Sequence, residues 1–262
     1  MNNFPKRIVC LTEESVETLF LLKKQHLIVG VSQFVKRPKE ACELPKVSMF
    51  TSSNYEKINE LRPDLILGHS DIQKDIARDL IGMGHNVYIS NHRTINEIIE
   101  YIKFLSRLTS SEKECEKLVD QINDKLESAK SFARTLKKPI KFYFEEWDEP
   151  AISAIEWVSE IIELCGGENI FKSTSDKKLA KERIINFDDV ISLNPQFIFA
   201  CWCGKKVKID LIKKRKDWHK IKAVEQNNVI ELMPEIFLQP GPAPLIDGID
   251  QIISHFKSTR ND

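Results

Sequence analysis

The sequence predicts an α/β protein of two lobes, each a parallel sheet covered by helices, with one long helix between them. Three observations carry that expectation. The stretch NYEKINELRPDLILG at 54–68 returns in the same layout as NFDDVISLNPQFIFA at 186–200. Short β-rich runs alternate with helical or turn segments on both sides of the centre, the order that builds parallel sheets under helices. Between 111 and 137 apolar residues keep a helical spacing without interruption.

In chain order, RIVCL, LIVGVS, LILGHS and NVYIS are the strand candidates of the first lobe, and IKFYFEEW, FIFACW and NVIELM those of the second. In both copies of the doubled stretch an acid, Glu56 or Asp188, lies seven positions before a proline, Pro63 or Pro195, and LIL or FIF follows. That pattern reads as a helix ending before proline, a tight turn and a buried strand. The copies align without a gap, Asn54 with Asn186 and Leu61 with Leu193, so they predict two lobes of similar design. In the centre, Cys115, Leu118, Val119, Ile122, Leu126, Ala129, Phe132, Ala133 and Leu136 form the helical stripe. Ser111 with Glu114 reads as a capping box and Pro139 as the stop, giving about 27 residues and roughly 40 Å of rod. The expected divisions are a lobe at 1–110, a spanning helix at 111–138 and a lobe at 139–262. The glycines of GMG, at 82–84, and of CGG, at 165–167, read as helix terminators.

Composition narrows the function. Lysine plus arginine equals aspartate plus glutamate at 39 each, so no global field recruits nucleic acid or an anionic membrane. The basic stretch KKVKIDLIKKRKDWHKIK, at 205–222, interleaves Val207, Ile209, Leu211, Ile212 and Trp218 with its lysines, as an amphipathic segment does. The amino terminus, MNNFPKRIVCLT, has too few apolar residues for a secretory signal. As written, the chain is expected in the cytoplasm, and in the periplasm or on the cell surface if a leader was trimmed. Six cysteines without small-scaffold spacing fit a reducing compartment. The phosphate-loop, dinucleotide, zinc-protease and nucleophile-elbow motifs are absent, so the chain is expected to be no enzyme and to hold no cofactor; a monomer is expected as well.

Ligands of open α/β sheets bind outside the carboxyl ends of the strands. Residues just past each apolar run are therefore the site candidates: Phe34, Phe50 and His69 in the first lobe, Glu145, Glu146, Trp147, Trp202, Cys203 and Gln239 in the second. The aromatic rings suit the faces of a flat ligand. The cluster EEWDE would bring several carboxylates to the cleft rim and favour a ligand with cationic or donor groups. Simpler roles compete: core packing for Trp147 and Trp202, a solvated turn for the acids, a satisfied loop histidine for His69. Trp157 and Trp218 are assigned to packing. The two cysteines of CWC, Cys201 and Cys203, share a strand face, but no further Cys or His lies at ligand spacing nearby, so buried or cleft-lining thiols are expected and no metal. In QPGPAP, Pro240 and Pro242 stiffen a loop that would hold Gln239 at the cleft.

Taken together, RIVCLTEESVETLFLL, LIVGVS, NYEKINELRPDLIL, VSEIIELCGGENIFK and NFDDVISLNPQFIF resemble, from Arg7 to about Phe256, the class III substrate-binding proteins of ABC importers. CGGENIFK has a near match in the cobalamin-binding members. The resemblance implies two Rossmann-like lobes joined by the long helix, modest closure, and a corrinoid, siderophore or haem ligand between the lobes. It places Phe34 and Phe50 at positions where the cobalamin-binding members set aromatic rings against the corrin. It implies that Glu56 and Asp188 dock on arginines of the membrane permease. Two positions depart from the pattern: Glu145 stands where those members have an aromatic residue, and His69 where they have a tryptophan. The expected function is a solute-binding protein for a corrinoid or other metal chelate. The alternatives are a cytoplasmic protein that retains or modifies such a ligand, with His69, Cys203, Glu145 and Glu146 as its reactive groups, or a binder of a ferric siderophore or a polar cationic molecule.

Overall fold

The computed structural model describes residues 5–258. The chain packs as two units. One holds the residues up to Ile122 together with Gln239–Pro242, and the other holds Asn123–Leu238 and the chain from Ala243 onward.

The first unit contains β1 (Ile8–Cys10), α1 (Glu13–Leu21), β2 (Ile28–Ser32), β3 (Lys46–Ser48), α2 (Tyr55–Leu61), β4 (Leu65–His69), α3 (Lys74–Gly82), β5 (Val87–Ser90), α4 (Ile95–Thr109) and the start of α5 (Glu112–Ala133). Its sheet runs β3-β2-β1-β4-β5 with every pair parallel. β1 is buried throughout and β4 at four of its five residues, as strands covered on both faces must be. Val9, Leu11, Val47, Ile58, Ile66, Ile76 and Leu80 form a continuous core on the sheet. The strand order changes direction between β1 and β4, so the loops leaving these two strands diverge and open a crevice.

The second unit contains β6 (Ile140–Asp148), β7 (Ala151–Ser153), α6 (Glu156–Leu164), β8 (Gly167–Asn169), α7 (Lys172–Ser175), α8 (Phe187–Leu193), β9 (Phe197–Ala200), α9 (Ile209–Lys213), α10 (Lys222–Glu225), β10 (Val229–Glu231), α11 (Pro234–Phe237) and α12 (Ile249–Ser258). The sheet order is β10-β9-β6-β7, with β8 also paired to β6. All pairs are parallel except β6 with β7. β7 departs from the expected parallel sheet because the chain reverses over Glu149 and Pro150, a two-residue hairpin connection. The change of direction in this sheet falls between β6 and β9. Trp157 and Trp218 pack as expected, at 3% and 0% exposure. The Trp157 indole N–H donates to the Phe237 carbonyl at 2.9 Å, and Trp218 meets Tyr143 and Phe187 edge-on.

The doubled sequence is a doubled structure. α2 and α8 have seven residues each, and each is capped by an asparagine: Asn54 accepts from the Lys57 N–H and Asn186 from the Asp188 N–H, both at 3.0 Å. Each ends on a left-handed residue directly before the proline, Arg62 at φ 45° and Asn194 at φ 49°, which frees the chain to enter the next strand. Each buries one apolar residue, Ile58 or Val190.

The long helix is shorter than its apolar stripe suggested. α5 has 22 residues and stops at Ala133, where the Thr135 hydroxyl and N–H close on the Phe132 carbonyl at 2.6 and 2.9 Å. The Ser111 hydroxyl turns to Thr109 and the Ser106 carbonyl and so forms no capping box with Glu114. α6 ends as expected at the CGG segment, with Gly166 at φ 93° donating to the Glu163 carbonyl at 2.8 Å. An added Cβ there would lie 2.4 Å from Leu136. Among the described residues no helix is long and apolar enough to cross a membrane.

Candidate ligand-binding site

In the first unit the loops after β2 and β3 bring Phe34 and Phe50 into a stack, with centroids 4.8 Å apart and planes 13° from parallel. Both rings are half-buried, so the pair keeps apolar surface available. At the carboxyl end of β4, His69 lies against His92, centroids 4.6 Å apart. His92 was not anticipated, and it is more deeply placed, at 5% exposure. Its Nε2 lies 2.6 Å from the Pro240 carbonyl, which only accepts, so that nitrogen carries the proton and Nδ1 accepts from the Ser90 hydroxyl at 2.6 Å. Burial, with Arg93 adding to it, lowers the His92 pKa to about 4. Burial, His92 and Arg93 hold His69 well below the ordinary imidazole value. Both rings are neutral at pH 7, the form in which imidazole coordinates metals.

Two further acids belong to this crevice. Glu13 and Glu14 open α1 at 6% and 1% exposure. Burial, with the charge of Glu13, raises Glu14 to about 7 against hydrogen bonds from Thr12 at 2.6 Å and Ser15 at 3.1 Å. Burial likewise raises Glu13. Ser15 reaches the Tyr101 hydroxyl at 2.9 Å, and the Tyr101 ring stacks on His92 at 4.5 Å. The segment Gln239–Pro242 covers this network. Gln239 is half-buried in it, and Gly241 lies so close to α1 that a Cβ would sit 2.9 Å from Glu14 Cβ. In sequence, acids in a helix's first turn read as ordinary partners of the helix dipole, and no pattern signals that a distant loop buries them.

In the second unit a hollow of about 770 Å³ lies at the carboxyl ends of β6 and β9 and the amino end of α8, with Asp148, Phe187, Trp202, Leu211 and Arg215 among its walls. Here the structure corrects the reading of EEWDE as free carboxylates at a rim. Glu145 is fully buried and saturated. Arg215 donates to both its oxygens at 2.5 and 3.0 Å, the Trp202 indole at 3.1 Å and the Tyr143 hydroxyl at 3.1 Å. Glu146 takes a two-pronged bond from Arg183 at 2.5 and 3.1 Å, and Asp148 pairs with Lys205. Three of the four acids are thus paired with cations, which leaves the cluster far less negative than its sequence suggests. Glu145 acts on the site by orienting Trp202, and the enzyme reading loses it as a base.

Trp202 is 2% exposed and belongs to the core cluster with Tyr143, Trp218 and Ile198, so its ring does not lie open as a plate. Trp147 is half-buried, its indole N–H on the Glu149 carbonyl at 2.9 Å. Cys201 is buried, Cys203 half-buried, and all six cysteines are free thiols. Among the described residues no three His, Cys, Asp or Glu side chains converge as metal ligands. Glu56 and Asp188 occupy equivalent first-turn positions on α2 and α8, and both are exposed.

A family model described as periplasmic binding protein matches residues 8–236. The chain belongs to that family. Among periplasmic binding proteins it is 26% identical over 260 residues to the vitamin B12-binding protein of Vibrio cholerae, covering 97% of this chain and 90% of that protein. It is 25% identical to an uncharacterised ABC transporter substrate-binding lipoprotein of Bacillus subtilis, covering 95% and 79%. The crystal structure of the periplasmic vitamin B12-binding protein of V. cholerae superposes with a TM-score of 0.77 over 98% of both chains at 25% identity. A periplasmic haem-binding protein of Pseudomonas aeruginosa shares the fold, with a TM-score of 0.83 at 16% identity over 97% and 93%. These relatives are substrate-binding proteins, by name periplasmic or lipoproteins, and they give the cytoplasmic expectation no support.

Proposed function

We propose that this periplasmic binding protein captures a corrinoid or a related metal chelate outside the cytoplasmic membrane and delivers it to an ABC importer, binding its ligand without turning it over. The observation that carries the reading is the Phe34–Phe50 stack at the carboxyl ends of the first sheet, in a chain matched over 97% of its length by a vitamin B12-binding protein. A half-buried aromatic pair is suited to the apolar face of a macrocycle, because it buries large area with little loss of side-chain freedom. The neutral imidazole of His69 adds a nitrogen suited to a chelated metal, which favours metal-bearing ligands. Glu146, Trp147, Cys203 and Gln239 are secondary contacts in this proposal, and Glu56 and Asp188 meet the permease as exposed acids facing basic residues.

Calorimetric titration with cyanocobalamin and cobinamide tests it, with hemin in parallel. Saturable one-to-one binding that Phe50→Ala weakens by about tenfold, some 1.4 kcal/mol, supports a corrinoid ligand. Binding of hemin alone moves the ligand to the haem class, and silence from all three sinks the metal-chelate reading. Trp202→Ala is unsuited to this test, because Trp202 is a core residue bonded to Glu145.

A further inference from the structure

Lys205 stands between two indoles. Its Nζ lies 4.0 Å from the centroid of the Trp147 ring and 4.9 Å from that of Trp202, and it donates to Asp148. Two aromatic faces and a carboxylate around one ammonium make an aromatic cage, in which ring quadrupoles attract a cation and recognise alkylammonium groups that have few or no N–H donors.

The walls are held from behind. The Trp147 indole N–H is tied to the Glu149 carbonyl at 2.9 Å, and that of Trp202 to Glu145 at 3.1 Å, with Glu145 gripped in turn by Arg215. The occupant is held by the two ring faces and by its bond to Asp148, all of which depend on its ammonium. Lys205 follows Gly204, whose φ of 76° suits glycine, and its side chain keeps 40% of its surface exposed. Asp148 and Trp202 also line the hollow of about 770 Å³, so a ligand entering that hollow meets two of the three cage walls.

We propose that Trp147, Trp202 and Asp148 form a subsite for an alkylammonium group of the ligand, and that Lys205 is its built-in, displaceable occupant. The inference rests on the solute-binding reading and names the charge class of one ligand group, whether or not the rest of that ligand is a corrinoid. Because the lysine is tethered, it competes at a high effective concentration, and a free ammonium compound therefore binds the unaltered protein weakly. Removing the lysine's charge vacates the cage and leaves its walls in place.

The test titrates the protein and its Lys205→Met variant with tetramethylammonium chloride at constant total chloride, following tryptophan fluorescence and heat. The expected result is one saturable site, about tenfold or more tighter in Lys205→Met, and lost when Trp147→Ala is added to that variant. Lys205→Gln, with an unchanged melting temperature, is expected to bind like Lys205→Met, which excludes a folding artefact. Equal affinity with and without Lys205, or binding that survives the loss of Trp147, overturns the proposal. The cyanocobalamin and hemin titrations are independent of this one, so the failure of either reading is seen separately.

Discussion

Glu145 and Glu14 are both carboxylates out of reach of water, and the chain treats them in opposite ways. Glu145 keeps company with Arg215, Trp202 and Tyr143, so Arg215→Ala leaves a buried charge without its counterion. The expected loss is about 3–5 kcal/mol, read by urea unfolding, and a loss below about 1 kcal/mol would show that water replaces the guanidinium there. Among the described residues Glu14 has no cation beside it, and it keeps its proton to about pH 7 when folded, against 4.5 when unfolded. Between these values the folded chain binds more protons, so this group's stabilising contribution is complete below pH 4.5 and gone above 7, a change on the order of 3 kcal/mol at most. His92 acts with the opposite sign: folded about 4, unfolded 6.5, it stabilises above 6.5 and ceases to as pH falls through 4. Glu14→Gln removes one limb alone. Its melting temperature relative to the unaltered protein is expected to rise from pH 4.5 to 7, and a pH-independent difference would refute the assignment. Neither carboxylate's environment was legible locally. Glu145 follows an apolar run like any strand-end acid, and its partner lies 70 residues away.

At the scale of elements, α2 and α8 were the most legible parts of the chain, because cap, acid, apolar anchor and proline all lie within one short window and each acts on its nearest neighbours. Asn54→Ala and Asn186→Ala each remove a side-chain cap and are expected to cost about 1 kcal/mol. Similar losses in the two units, measured by denaturant unfolding, would show that the duplication extends to energetics, and a neutral result at either position would limit it to geometry. α5 was legible as a helix but not in its length, since its apolar stripe runs on to Leu136 while the backbone turns at Thr135. The β6–β7 hairpin was missed because EEWDEP reads equally as a solvated turn, and it is the pairing of Glu145 with Ser153, Trp147 with Ile152 and Asp148 with Ala151 that makes it a strand reversal. Gly241 is an element-scale constraint of another kind. Gly241→Ala would put a Cβ 2.9 Å from Glu14 Cβ and 3.2 Å from its Cα, forcing the loop off α1 and breaking the His92 bond to Pro240. Losing that bond alone would lower the His92 pKa, but burial is the larger influence, so admitting water is expected to give a net rise toward 6.5 in an NMR titration, and an unmoved or lowered value would show that the loop yields without letting water in.

At the scale of the whole molecule, family and architecture were readable because α/β alternation and the doubled segment span the chain, whereas the ligand depends on a few side chains whose neighbours come from remote loops. Delivery should depend on both units. Glu56→Lys with Asp188→Lys is expected to abolish permease-dependent uptake while leaving calorimetric ligand binding unchanged, and normal uptake by the double variant would remove these acids from docking. The first unit also borrows four residues, Gln239–Pro242, from far down the chain. A gene cut after Ile122 would therefore encode a fold without its own cover: Glu14 and His92 would meet water, and the fragment should need a short synthetic peptide carrying QPGP to regain its stability. The amino-terminal half is therefore no self-contained heritable module, and shuffling halves between relatives would have to carry that small loop along with the amino-terminal piece.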